Sequence, residues 1–80
     1  MRVLIVNENP NLGQFWGSYL KRHGCFVDVA SSQIEAINIL RDVTVDIIIL
    51  DLILEQGSAF AIADFLSYRQ PSAKIIFVTS

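Results

Sequence analysis

The sequence predicts an α/β domain in which a parallel sheet is covered by helices on both faces. Three observations carry this. Short β-branched apolar runs recur along the chain, amphipathic stretches of helical period lie between them, and Pro and Gly sit at the boundaries, apart from Gly13 and Gly17. The resulting order, βαβαβαβ with short connections, places the strands parallel and the helices against the sheet.

Arg2–Val6 is the first strand, apolar enough to be buried on both faces. Asn7-Glu8-Asn9-Pro10 breaks it. Asn9 is placed to cap a helix whose first residue, Pro10, has no N–H to leave unsatisfied. Leu12, Phe15, Trp16, Tyr19 and Leu20 then recur at helical spacing, so the aromatic stripe is expected in the core. Gly24, after Lys21-Arg22-His23, ends this helix. Gly13 and Gly17, four residues apart, either let it pack closely or are merely tolerated at about 1 kcal/mol each relative to Ala. Cys25–Ala30 reads as the second strand, with Cys25 a small buried hydrophobe. Ser32-Gln33-Ile34-Glu35 fits a capping box, opening a helix whose stripe is Ile34, Ile37 and Leu40. Asp46–Leu50 is the third strand and ends on Asp51. Gln56-Gly57-Ser58 is a turn and cap. Ala59, Ile62, Ala63 and Leu66 form the stripe of a third helix, and Pro71 lies past its end. A second stripe there, Ala61, Phe65 and Tyr68, is either a partner surface or incidental exposure. Lys74–Val78 is the fourth strand, running into Thr79-Ser80.

Eighty residues make one domain, 1–80. Hydrophobic residues at 52% and charged residues at 18%, against a usual ~25% charged, exclude disorder. No apolar run approaches the ~20 residues of a membrane span, and no secretory signal is visible after Met1, so none is expected. Cys25 is the only cysteine, which excludes a disulfide framework and a thiolate metal cage. The expectation is a cytoplasmic chain. Net charge is −2 and the six bases are scattered, so there is no basic patch for nucleic acid. A domain this small buries only about 60% of its unfolded surface, which leaves apolar area for a partner or a further segment.

In an open parallel sheet, ligands bind beyond the carboxyl ends of the strands, where strand order reverses. Three strands end in polar groups: Asn7-Glu8, Asp51 and Thr79-Ser80. If the second connection crosses back over the first, the first and third strands are neighbours and Glu8 faces Asp51. Two such carboxylates repel unless a cation or proton joins them, and hard oxygen ligands suit Mg²⁺. Such a site leaves positions for water and a phosphoryl group, within reach of a hydroxyl at Thr79. No Gly-rich phosphate loop follows the first strand, so a flavin or nucleotide enzyme is set aside.

RVLIVNENP, DIIILDLILEQGS and KIIFVTS together resemble the receiver domain of two-component response regulators. The whole chain takes part and matches the first four of that family's five β/α units. The resemblance implies a flavodoxin-like, doubly wound sheet of order 2-1-3-4, phosphorylated on one aspartate by a sensor histidine kinase or phosphotransfer protein with Mg²⁺ as cofactor. Asp51 matches the phosphoacceptor and Glu8 the acidic metal ligand. Ile53 matches the position that gives a main-chain carbonyl to the metal, and Thr79 the switch hydroxyl. Gly57-Ser58 resembles the shorter form of the loop after the phosphoacceptor. Asn7 departs from the pattern. It stands where the family has an acid; an amide can hydrogen-bond a metal-bound water but brings no charge, so lower Mg²⁺ affinity is expected. The family's later lysine, fourth helix, fifth strand and fifth helix have no counterpart before Ser80, so the domain is expected to be incomplete at its C-terminus.

Two functions follow. One is a receiver that takes a phosphoryl group onto Asp51 and signals by conformational change, without turning over a substrate as an enzyme does. The other is a degenerate receiver that binds partners without phosphorylation, favoured by Asn7 and the absent lysine. With no fifth strand, Lys74–Val78 is expected to be a sheet edge whose unpaired backbone templates another strand. Together with Phe65 and Tyr68 it points to a homodimer through the fourth strand and third helix.

Overall fold

The computed structural model of the chain describes residues 1–79. Ser80, expected with Thr79 as a polar strand end, lies outside the described residues. The elements are β1 (Arg2–Val6), α1 (Pro10–Arg22), β2 (Phe26–Ala30), α2 (Gln33–Asp42), β3 (Ile47–Asp51), α3 (Ala59–Arg69) and β4 (Lys74–Val78). All strands pair in parallel, in the order β2-β1-β3-β4. The chain thus winds outward from β1 to β2, crosses back over β1 to β3, and continues to β4. This is the flavodoxin-like arrangement, and it makes β1 and β3 the central pair.

One face of the sheet carries the main core. Leu4, Val6, Ile48 and Leu50 point into it, under Ala36 and Leu40 of α2 and Ala59, Ile62, Ala63 and Leu66 of α3. The stripe read on the third helix is therefore buried as expected. On α2 the reading needs correction: Ile34 is 73% exposed, and the buried positions are Ala36 and Leu40. Alanine at the contact lets the helix backbone approach the sheet, and the larger Ile34 then falls on the outer side.

α1 shows the same logic more strongly. Its buried residues are Gly13 and Gly17. A Cβ on Gly13 would lie 2.8 Å from Val29 Cγ1, and one on Gly17 would lie 3.3 Å from Val27 Cγ1. The glycines are therefore a docking face laid directly on β2, and close packing is the reading that holds. The aromatic stripe turns outward, with Phe15 70% and Tyr19 55% exposed and Leu12 and Trp16 half-buried. The expectation that this stripe is core is overturned.

The helix ends follow their sequence signals. Asn9 accepts N–H bonds from Asn11 and Leu12, with Pro10 at the first helical position. At the other end Gly24, at φ +88°, donates to the Lys21 carbonyl, and Cys25 donates to Leu20. These two bonds form a Schellman ending. Cys25 is thus half-buried in a turn, outside β2, which begins at Phe26. Ser32 Oγ accepts the Glu35 N–H, and Ser58 Oγ accepts that of Ala61. At the bottom of the sheet the Gln70 side chain bonds three main-chain groups. It accepts the Val45 N–H at 2.8 Å and donates to the carbonyls of Leu40 at 3.1 Å and Val43 at 2.8 Å. One glutamine therefore ties the C-terminus of α3 to the connection from α2 into β3.

Candidate functional site

The central strands release their chains side by side at the carboxyl edge of the sheet. Val6 pairs with Leu50, so the next residues, Asn7 and Asp51, stand at matching positions on neighbouring strands. The ladder continues past both, through Asn7 N–H to the Ala30 carbonyl at 3.0 Å and Leu52 N–H to the Val78 carbonyl at 2.9 Å. Asp51 is wholly buried, and its Oδ1 accepts the Ile53 N–H at 3.0 Å. A buried carboxylate needs partners that stabilise its charge. A loop turning back over its own strand end supplies one.

Glu8, one residue further on, is half-buried, and its carboxylate accepts the Glu55 N–H at 2.8 Å. The segment after β3 therefore donates to both expected acids, through Ile53 to Asp51 and through Glu55 to Glu8. Further along, Ser58 N–H donates to Gln33 Oε1 at 2.7 Å. Gly57, at φ +103°, lies so close that a Cβ there would collide with the Gln33 side chain. Gln33 thus fixes this loop from the start of α2. Neither Gln33 nor Glu55 carries a sequence signal that marks it as a site residue. Gln33 read only as the first residue of a capped helix, and Glu55 acts through its backbone, which leaves no mark in the sequence.

The other expected residues are spread around this edge. Ile53 turns its N–H to Asp51 and exposes most of its side chain. Val78 pairs with Asp51, which puts Thr79 one step further along the neighbouring strand, exposed. A cleft of about 170 Å³, lined by Glu8, Ser31, Glu55 and Gln56, opens beside Glu8. A second, of about 140 Å³, lies near Arg41, Arg69 and Gln70. Gln70 ties the connection that leads into β3, so this cleft belongs to the other end of the sheet.

Asn7 is only 1% exposed, and its two amide atoms differ sharply. Oδ1 accepts the Asn9 N–H at 2.9 Å, which braces the turn into α1. Nδ2 is buried with no hydrogen-bond partner. An amide nitrogen donates and does not ligate a cation. Among the described residues no group of three Asp, Glu, His or Cys side chains gathers. The edge therefore offers two carboxylates, Glu8 and Asp51, as hard donors. Mg²⁺ characteristically takes one or two carboxylates and fills the rest of its octahedron with water and phosphate oxygens. A thin oxygen-only site of this kind fits it.

A family model described as response regulator receiver domain matches residues 3–80. Among solved structures, the chain superposes on a response regulator from Burkholderia pseudomallei, with a phosphorylated aspartic acid, calcium ion and citrate, at TM-score 0.93 and 26% identity. It superposes on the non-phosphorylated HemR receiver domain from Leptospira biflexa at 0.89 and 28%. For response regulator TrrA from Thermotoga maritima, in complex with Mg²⁺-BeF, the values are 0.87 and 28%. Each alignment covers 98% of this chain, and respectively 46%, 63% and 68% of the other. The chain thus spans about half to two thirds of the length of these structures. No curated protein matches by sequence.

Proposed function

The chain belongs to the response regulator receiver domain family, and from that premise we propose that Asp51 is its phosphoacceptor, loaded by a histidine kinase or phosphotransfer protein in the cytoplasm. The observation that carries this reading is the carboxylate itself: it is fully buried at the end of a central strand, where the sheet reverses its order. The solved relatives with a phosphorylated aspartic acid and with Mg²⁺-BeF support it.

In this reading an Asp51 carboxylate oxygen attacks the donor phosphorus in line. The new O–P bond forms as the P–N bond to the donor imidazole breaks, and the imidazole leaves with the electron pair. Mg²⁺, when bound, neutralises charge on the transferring group. Asp51, Glu8 and the Ile53 carbonyl are the groups proposed to hold it. The Ile53 N–H fixes the Asp51 carboxylate, and the Glu55 N–H fixes that of Glu8, so both acids are aimed by one loop. The Thr79 hydroxyl is the proposed switch group, reporting the new charge along β4. The product is a modified protein that signals, and no substrate is turned over.

Incubation with a small phosphodonor and Mg²⁺ tests this. One phosphoryl mass should appear by intact-mass spectrometry and vanish in Asp51→Asn. A second reading, a receiver fold that binds partners without phosphorylation, draws on Asn7 standing where a third oxygen donor would serve. A chain that never takes the adduct supports that reading. Among the described residues β4 lies at one edge of the sheet, and self-association through β4 and α3 is part of the proposal.

A further inference from the structure

We propose that Asn7 Nδ2 is a donor held ready for a phosphoryl oxygen on Asp51, so that Asn7 positions the phosphoryl group and does not serve the metal. The inference rests on Asp51 being the phosphoacceptor. Three observations lead to it. Nδ2 is buried without a partner in a side chain only 1% exposed, and an unmade hydrogen bond of this kind costs stability. The amide cannot turn its oxygen inward instead without giving up the Asn9 N–H bond at 2.9 Å. The strand register sets Asn7 beside Asp51.

The chemistry of the missing partner follows from the donor. A bare cation is repelled by N–H. A phosphoryl group on Asp51 brings three strong acceptor oxygens and a charge near −2. An acid in place of Asn7 would repel that charge unless a cation lay between them, whereas the amide attracts it directly. Asn7 therefore shifts the site from binding the metal first towards binding the oxyanion.

The test uses beryllofluoride as the phosphoryl probe and reads the Asn7 side-chain amide by ¹H–¹⁵N NMR, assigned from its loss in Asn7→Asp. The amide should shift downfield when beryllofluoride is added with Mg²⁺, and stay in place with Mg²⁺ alone. In Asn7→Ala the beryllofluoride adduct should weaken about tenfold or more, the size expected for a bond to a charged group, with Mg²⁺ affinity unchanged. A full shift with Mg²⁺ alone would show that Nδ2 serves a metal-bound water, and it overturns the proposal. An adduct that forms without moving the amide also overturns it, while leaving Asp51 as the acceptor. If wild-type protein forms no adduct with beryllofluoride, and none with a phosphodonor, both readings fall.

Discussion

Asn7 and Asp51 are the fully buried polar side chains among the described residues, and they sit on adjacent central strands. Their burial was legible only in part. Asp51 and Glu8 stand out in the sequence because each is a carboxylate at the end of an apolar run, but nothing in the letters tells which amide atom of Asn7 is satisfied. That depends on the Asn9 N–H, a contact made by the local turn. Placing a carboxylate there, with Asn7→Asp, should raise Mg²⁺ affinity roughly tenfold or more by calorimetry, since a nearby charge in a partly buried site is felt strongly. Unchanged affinity would place Asn7 away from the metal. Gln70 was invisible for a different reason, because a glutamine at a helix end has no distinctive pattern. Its three main-chain bonds predict that Gln70→Ala costs about 2 kcal/mol in urea denaturation, as partly buried groups lose their partners. A loss below a few tenths would mean that water replaces the side chain.

Among the elements, α1 separates what periodicity can show from what it cannot. The helix, its caps and its stop were all readable, from Asn9 and Pro10 to Gly24. Its orientation was not. Periodicity marks the most apolar stripe as the buried one, yet the sheet contact is made by the face that lacks side chains. Helix and strand can approach more closely there, and Val27 and Val29 fill the space. The two glycines should therefore respond differently to substitution. Alanine adds about 1 kcal/mol of helix propensity at either position. At Gly13 the new Cβ meets Val29 Cγ1 at 2.8 Å, and a β-branched side chain in a strand has little freedom to move away. At Gly17 the nearest atom is 3.3 Å off, and a small shift relieves it. Gly13→Ala should be less stable than Gly17→Ala by about 1–2 kcal/mol, with overpacking outweighing propensity only at the first. Equal midpoints in chemical denaturation would show that α1 slides to accommodate both.

At the scale of the sheet, the described residues present two edges, β2 and β4, and they are protected unequally. β2 is covered by α1 and carries Asp28, whose carboxylate pairs with Arg2 Nε at 3.2 Å. β4 has a charge only at Lys74. Its Ile76 and Phe77 are 47% and 43% exposed, and Phe77 lies against the exposed Phe60 ring of α3 with centroids 6.1 Å apart. Of the second stripe expected on α3, Phe65 packs on the core with Arg69 over its ring, while Tyr68 is left exposed. The apolar area next to the β4 edge is thus supplied by Phe60, Phe77 and Ile76, with Tyr68 further along the helix. An unpaired strand edge and an adjoining apolar surface are both relieved by the same event, antiparallel pairing of β4 with its copy across a two-fold axis. The 80-residue chain is therefore expected to be a dimer or larger at micromolar concentration, dissociating on dilution. Light scattering over a dilution series measures this, and a monomer at high micromolar concentration would refute it. Ile76→Lys places a charge on the edge without touching the main core, so it should give a monomer with the fold intact by circular dichroism. A dimer that survives this substitution would move the interface away from β4, to the outward aromatic face of α1.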